Sequence, residues 1–184
     1  SRIDPSTRSI LSRVIIFSAA IIVGSGLFLP NNLTAKNKFI FANGSPYDSL
    51  DPHVRYDVGR VASRINLYDG LLRWLDNPPK LSPWLAESYT ISDDALKYTF
   101  KLRKGVMFHD GSPLEAKDVV YSIERILALK KGAYSLFEKS IDKGSTKALD
   151  SHTVQFTLNK PSSIFLSTVP AIHVVNSKLL KKKE

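Results

Sequence analysis

The chain has 184 residues, 43% hydrophobic and 23% charged, with 10 Pro, 9 Gly and no Cys. That balance excludes a collagen-like, disulfide-stapled or wholly disordered protein, and the length suits one domain able to bury a core. Without cysteine there is no disulfide framework, thiolate zinc site, iron–sulfur cluster or cysteine nucleophile. Much of the formal charge of +9 sits at the ends. Arg2, Arg8 and Arg13 stand against Asp4 at the start, and Lys178, Lys181, Lys182 and Lys183 against Glu184 at the finish. The closing lysines have no aromatic platform beside them, so they read as a solvated helix end and not as a nucleic-acid contact.

In chain order, residues 14–29 carry no charge, follow Arg8 and Arg13, and lead into Pro30 and Ala35. A basic flank, an apolar run, a breaker and a small residue are the order of a secretory signal, with cleavage expected after Ala35. As a helix the run spans about 24 Å, shorter than the roughly 30 Å of a bilayer core. An uncleaved anchor and a buried core helix are the alternatives. Lys38–Ala42 reads as a strand ending at the Asn43-Gly44-Ser45-Pro46 turn.

A helix is expected over residues 58–71, where Val61, Ile65, Tyr68 and Leu72 recur at three-to-four spacing. Pro78, Pro79 and Pro83 then predict a break in regular structure. Leu85–Ile91 and Tyr98–Arg103 read as two strands of a hairpin turning at Asp93-Asp94, the second with one buried and one wet face. The strongest helix is Glu115–Leu129, where Val119, Val120, Ile123, Ile126 and Leu127 form an apolar stripe. Lys117, Asp118, Glu124 and Arg125 are expected to face outward, and Ser112 with Glu115 has capping-box spacing. A second hairpin is expected from Thr146–Leu149 and Thr153–Leu158, then a short helix over Ser163–Val169. Strands and helices mix without regular βαβ alternation, an α+β pattern.

Chemistry is sparse. His53, His109, His152 and His173 lie far apart with no metal spacing, and there is no nucleophile elbow or glycine-rich phosphate loop. His109-Asp110 before Gly111 reads as a ligand or base, or as a turn-stabilising pair, and the second reading is preferred. Neither an enzyme nor a cofactor is indicated.

The most informative stretch is Leu85–Arg125, LAESYTISDDALKYTFKLRKGVMFHDGSPLEAKDVVYSIER. Together with Ser49-Leu50-Asp51-Pro52-His53, Tyr68-Asp69-Gly70-Leu71, Ala148-Leu149-Asp150 and Thr153–Leu158, it closely resembles the family 5 extracellular solute-binding proteins. These are the dipeptide- and oligopeptide-binding components of ABC importers, and the resemblance covers about residues 39–175. It departs at Glu115, where the family often has Thr or Ser as the helix cap.

The resemblance implies a partial periplasmic-binding-protein fold of type II, peptide-binding class, in which a cleft between two lobes closes on its solute. Its expected divisions are a signal peptide at 1–35, the first strand of lobe one at 36–45, an α/β insert at 46–168, and the start of the return into lobe one at 169–184. The second lobe is absent on this reading, so the chain is expected to be truncated and unable to bind ligand alone. The implied ligand-facing positions are Tyr56, Tyr134, Ala171 and His173, with Tyr134 able to bond a peptide carbonyl. The implied setting is the periplasm, with a short peptide ligand, inner-membrane permease subunits, no nucleic acid, and a monomeric state. A secreted or membrane-tethered interaction module is the alternative.

Overall fold

The computed structural model describes residues 49–182 apart from Val58 and Arg60. The expected signal at 1–35 and the expected strand Lys38–Ala42 lie outside the described residues. The first helix, α1, runs Val61–Leu67 and is shorter than the 58–71 span the periodicity suggests. It stops because the chain beyond it spends its backbone groups elsewhere. The Asp69 carbonyl accepts from Val174 N at 2.9 Å, and the Leu71 carbonyl accepts from Trp84 N at 3.0 Å and Ala86 N at 3.1 Å. The apolar spacing does not become a buried face: Val61 and Ile65 are exposed, Leu72 is buried outside the helix, and the helix's one buried residue is Arg64.

The proline-rich stretch is a hairpin and not a break. Strands β1 (Leu72–Leu75) and β2 (Lys80–Pro83) pair antiparallel, Leu72 opposite Pro83 and Leu75 opposite Lys80. Pro78 and Pro79 fall in the connecting turn, where a missing N–H costs no ladder bond.

Strands β3 (Ala86–Ile91) and β4 (Lys97–Leu102) form the first expected hairpin. With β5 (Lys147–Asp150) and β6 (Thr153–Thr157) they make an antiparallel sheet of order β3-β4-β6-β5. The alternation read from the sequence is kept: Tyr98, Phe100 and Leu102 point into the core, while Lys97 and Lys101 are exposed. Across the central pair Tyr98 lies opposite Phe156 and Phe100 opposite Val154. Their rings pack edge-on, Phe100 against Phe156 at 5.7 Å and Tyr98 against Phe165 at 4.7 Å, a geometry that aligns ring edge with ring face. Both edge strands are irregular, with a register shift between Ala86 and Ser88 on β3 and another between Ala148 and Asp150 on β5.

Helix α2 (Ala116–Leu129) packs across β5 and β6 and buries Val119, Ile123 and Ile126 completely. Its cap is a reciprocal pair of Glu115 and Asp118, one register later than the Ser112–Glu115 spacing suggests. Asp118 Oδ2 accepts from Glu115 N at 2.9 Å. The helix ends at Lys130 in a left-handed conformation. A one-turn helix α3 (Tyr134–Phe137) follows, which the sequence reading missed.

Helix α4 (Phe165–Thr168) and a 3-10 turn at Val169–Ala171 replace the expected Ser163–Val169 helix. Val169, Ile172 and Val174 then continue the same hydrophobic core, and α5 (Ser177–Lys181) closes the described chain. The observed architecture is of the α+β class expected.

Gly132 marks where two segments touch. Its φ is 57°, and an added Cβ would lie 2.5 Å from the His53 carbonyl oxygen. Gly111 has a similar φ of 78° but open space around it. Gly111→Ala is therefore expected to cost about 1 kcal/mol of backbone strain, and Gly132→Ala about 3 kcal/mol, because clash adds to strain. Urea unfolding of both variants measures the difference, and equal costs would remove the claimed contact.

Candidate functional site

Three polar side chains on one face of α2, Asp118, Ser122 and Arg125, organise the loops around them. Spacings of four and three residues place them in one row along the helix. Asp118 Oδ1 accepts from Ser177 N at 3.0 Å and from Ser177 Oγ at 2.6 Å. Ser122 Oγ donates to the Asp118 carbonyl at 2.7 Å and accepts from Val175 N at 3.0 Å. Arg125 makes a two-pronged pair with Asp51, Nη1 to Oδ1 at 3.0 Å and Nη2 to Oδ2 at 2.9 Å. Asp118 and Arg125 were expected to face outward; instead Asp118 is buried and the Arg125 side chain is only 12% exposed. A charged residue on a helix turns inward when a partner there replaces its water.

Asp51 reaches further. Its Oδ1 accepts from His53 N at 2.9 Å, fixing the turn after Leu50. Burial pushes the Asp51 carboxyl up, but the hydrogen bonds from Arg125 and His53 and the Arg125 charge outweigh it and hold it below its ordinary value. The fully buried His53 ring lies between two groups: Nδ1 faces Arg125 Nη1 at 3.3 Å and Nε2 faces the His173 carbonyl at 2.8 Å. Arginine only donates, so Nδ1 accepts and Nε2 carries the proton to the carbonyl. The His173 Nδ1 in turn lies 3.1 Å from the Ala171 carbonyl, and its ring meets Tyr68 edge-on at 6.5 Å.

Of the four positions implied by the resemblance, His173 belongs to this network and Ala171 adjoins it. Tyr56 is 43% exposed and lays its ring under the Arg64 guanidinium, 4.2 Å from centroid to Cζ. The Arg64 charge also acts on His173, and Ala171 lies buried two residues before it. Tyr134 stands apart on α3, partly buried against the core, its phenol pushed up by burial and by the neighbouring Glu138. Two residues before it, Gly132 passes close to the His53 carbonyl. Sequence reasoning missed Arg64 and the joining role of Asp51, His53 and Arg125. The Leu-Asp-Pro-His motif was the available signal for the first two members of that trio.

A separate apolar groove of about 620 Å³ lies beside the site, lined by Leu50, Met107, Phe108, Leu114, Val175 and Leu179 among others. The His109-Asp110 turn rims it. Asp110 accepts from Ser112 N at 3.0 Å and from Asn176 Nδ2 at 3.0 Å, the work of a turn-stabilising residue. Among the described residues no three His, Asp or Glu side chains converge on a metal-sized point.

Residues 80–184 match the family of bacterial extracellular solute-binding proteins, family 5 Middle. This chain belongs to that family. The glutathione-binding protein GsiB of Escherichia coli K12 is 38% identical over 152 residues, covering 80% of this chain and 29% of that protein. The substrate-binding domain of an oligopeptide ABC transporter from Bacillus anthracis superposes with a TM-score of 0.63 at 32% identity, over 73% of this chain and 29% of that one. The periplasmic binding protein DppA of Helicobacter pylori, solved with the peptide STSA, gives 0.64 at 30% identity, over 77% and 30%. The family 5 chain described here thus spans under a third of the length of these relatives.

Two expectations follow from the network. Removing one partner of the Asp51–Arg125 pair, as Asp51→Asn or Arg125→Met, costs about 3 kcal/mol, because it strands the other's charge. The double variant recovers part of that, with a coupling energy of about 2 kcal/mol in urea unfolding; simple additivity would deny the pair. The second concerns pH. Burial holds His53 below its ordinary 6.5, against the opposing His173 carbonyl bond and Asp51 charge. Burial and then the Arg64 charge bring His173 down to about 4. The unfolded chain therefore binds more protons than the folded one as pH falls from 6.5 towards 4, and stability drops across that window. His173 contributes on the order of 3 kcal/mol of the loss. Melting temperature against pH should slope down towards acid, and His173→Gln should flatten it; an unchanged slope would place the titration elsewhere.

Proposed function

We propose that this chain is part of the substrate-binding component of an ABC importer for short peptides, working in the periplasm and handing its solute to inner-membrane permease subunits. The observation that carries the reading is family 5 membership together with relatives whose names specify glutathione, an oligopeptide transporter and a bound tetrapeptide. In this reading the protein binds and releases its solute without changing it.

The domain divisions belong to this proposal: lobe one begins at 36–45, the insert occupies 46–168, and 169–184 turns back towards lobe one. Val169–Val174 lie in the core of the described unit, which suits a return path laid against the insert. The apolar groove also supports further chain packing here, since its rim residues Leu50, Met107 and Leu179 are 56%, 58% and 44% exposed. Open apolar faces of this kind mark an interaction surface. Tyr56 and Tyr134 would present their rings and hydroxyls to the peptide. Ala171 and His173, both buried, would form the floor behind them.

The test is calorimetry with trialanine. This 184-residue chain offers one wall of a cleft and should give no micromolar binding, whereas a chain of its relatives' length should bind at micromolar affinity or better. Micromolar binding by the short chain would overturn the one-wall reading. A full-length chain that ignores every peptide offered would overturn the peptide assignment.

A further inference from the structure

Arg64 carries a charge that the described residues leave unanswered. It is only 9% exposed, yet its Nε has no hydrogen-bond acceptor. Its bond to protein is a long one, Nη1 to the Asp57 backbone carbonyl at 3.5 Å. The nearby carboxylate of Asp51 is committed to Arg125 through both oxygens. His53 and His173 are held neutral, so neither relieves nor adds to the charge at neutral pH. Arg64 therefore keeps a buried donor, its Nε, without an acceptor.

Such a cation is costly. Burying an unpaired charge opposes folding, and a protein tolerates it where an opposite charge arrives from outside. The Arg64 surroundings suit that arrival. Tyr56 covers one face of the guanidinium with its ring, a contact that leaves the edge of the fork as the donor surface. A planar carboxylate matches two parallel N–H donors on one edge of a guanidinium better than any other common biological group.

We propose that Arg64 is the carboxylate-recognition residue of this chain, receiving the C-terminal carboxylate of a short peptide on its Nε edge beside the Tyr56 ring. The peptide as source rests on the function proposed above; the anion chemistry rests on Arg64 alone.

The test uses the 184-residue chain and the ¹⁵Nε–¹Hε NMR signal of Arg64, assigned by its absence in Arg64→Lys. Trialanine, trialanine amide and acetate are the probes. With one wall only, trialanine and acetate should shift the signal saturably with Kd on the order of millimolar, and the amide should bind about tenfold more weakly. Arg64→Met should lose that response while melting at the same or a higher temperature, because it removes an unpaired buried charge. A signal that ignores both acetate and trialanine, or that responds equally to the amide, overturns the assignment, as does a Met variant that melts lower. A response to acetate without one to trialanine upholds Arg64 as a carboxylate site and overturns the peptide reading.

Discussion

The row Asp118, Ser122 and Arg125 on one face of α2 is the constraint on which the rest of the structure depends. The apolar stripe of the same helix, Val119, Ile123 and Ile126, glues it to the sheet, but such burial is non-directional and tolerates sliding. The polar row does not slide. Asp118 accepts two bonds from Ser177, Ser122 takes the amide of Val175, and Arg125 grips Asp51 with two prongs. Two segments distant in sequence, the Asp51 turn and the Val175–Ser177 stretch, are thereby held in register on one rigid rod. Hydrophobic collapse decides that the helix lies on the sheet; the hydrogen bonds decide where the loops lie on the helix.

That division of labour explains which parts could be read from the sequence. The hairpin through Tyr98–Leu102 was legible because alternation of period two survives any tertiary context with one wet face. The α2 span was legible for the matching reason, an apolar stripe of helical period. Asp118 and Arg125 were misplaced because a helical wheel sorts by polarity, and their partners, Ser177 and Asp51, stand more than fifty residues away. The helix α1 was overextended because nothing local records that the carbonyls of Asp69 and Leu71 are claimed by Val174, Trp84 and Ala86. The β1–β2 hairpin was missed because prolines in a connecting turn look the same as prolines in a coil.

The site shows a similar split. Tyr56, Ala171 and His173 are positions that the resemblance implies, since they follow motifs that stand in this chain. Arg64 was not. A lone arginine in a seven-residue helix has no spacing to give it away, and the ring over its guanidinium comes from Tyr56, outside that helix. His53 illustrates the middle case. Its motif was visible, but its fixed tautomer follows from having a donor-only guanidinium on one side and a carbonyl on the other.

The two bulged edges of the sheet have a consequence for the crowded compartment in which solute-binding proteins work. A straight edge strand offers a regular file of free amides and carbonyls, to which a neighbouring molecule adds its own strand. Here β3 slips register between Ala86 and Ser88 and β5 between Ala148 and Asp150, so neither edge offers evenly spaced partners. Lys147 adds a charge that an incoming strand would have to accommodate. The irregularities cost a little pairing within the sheet and keep neighbouring copies from zipping together.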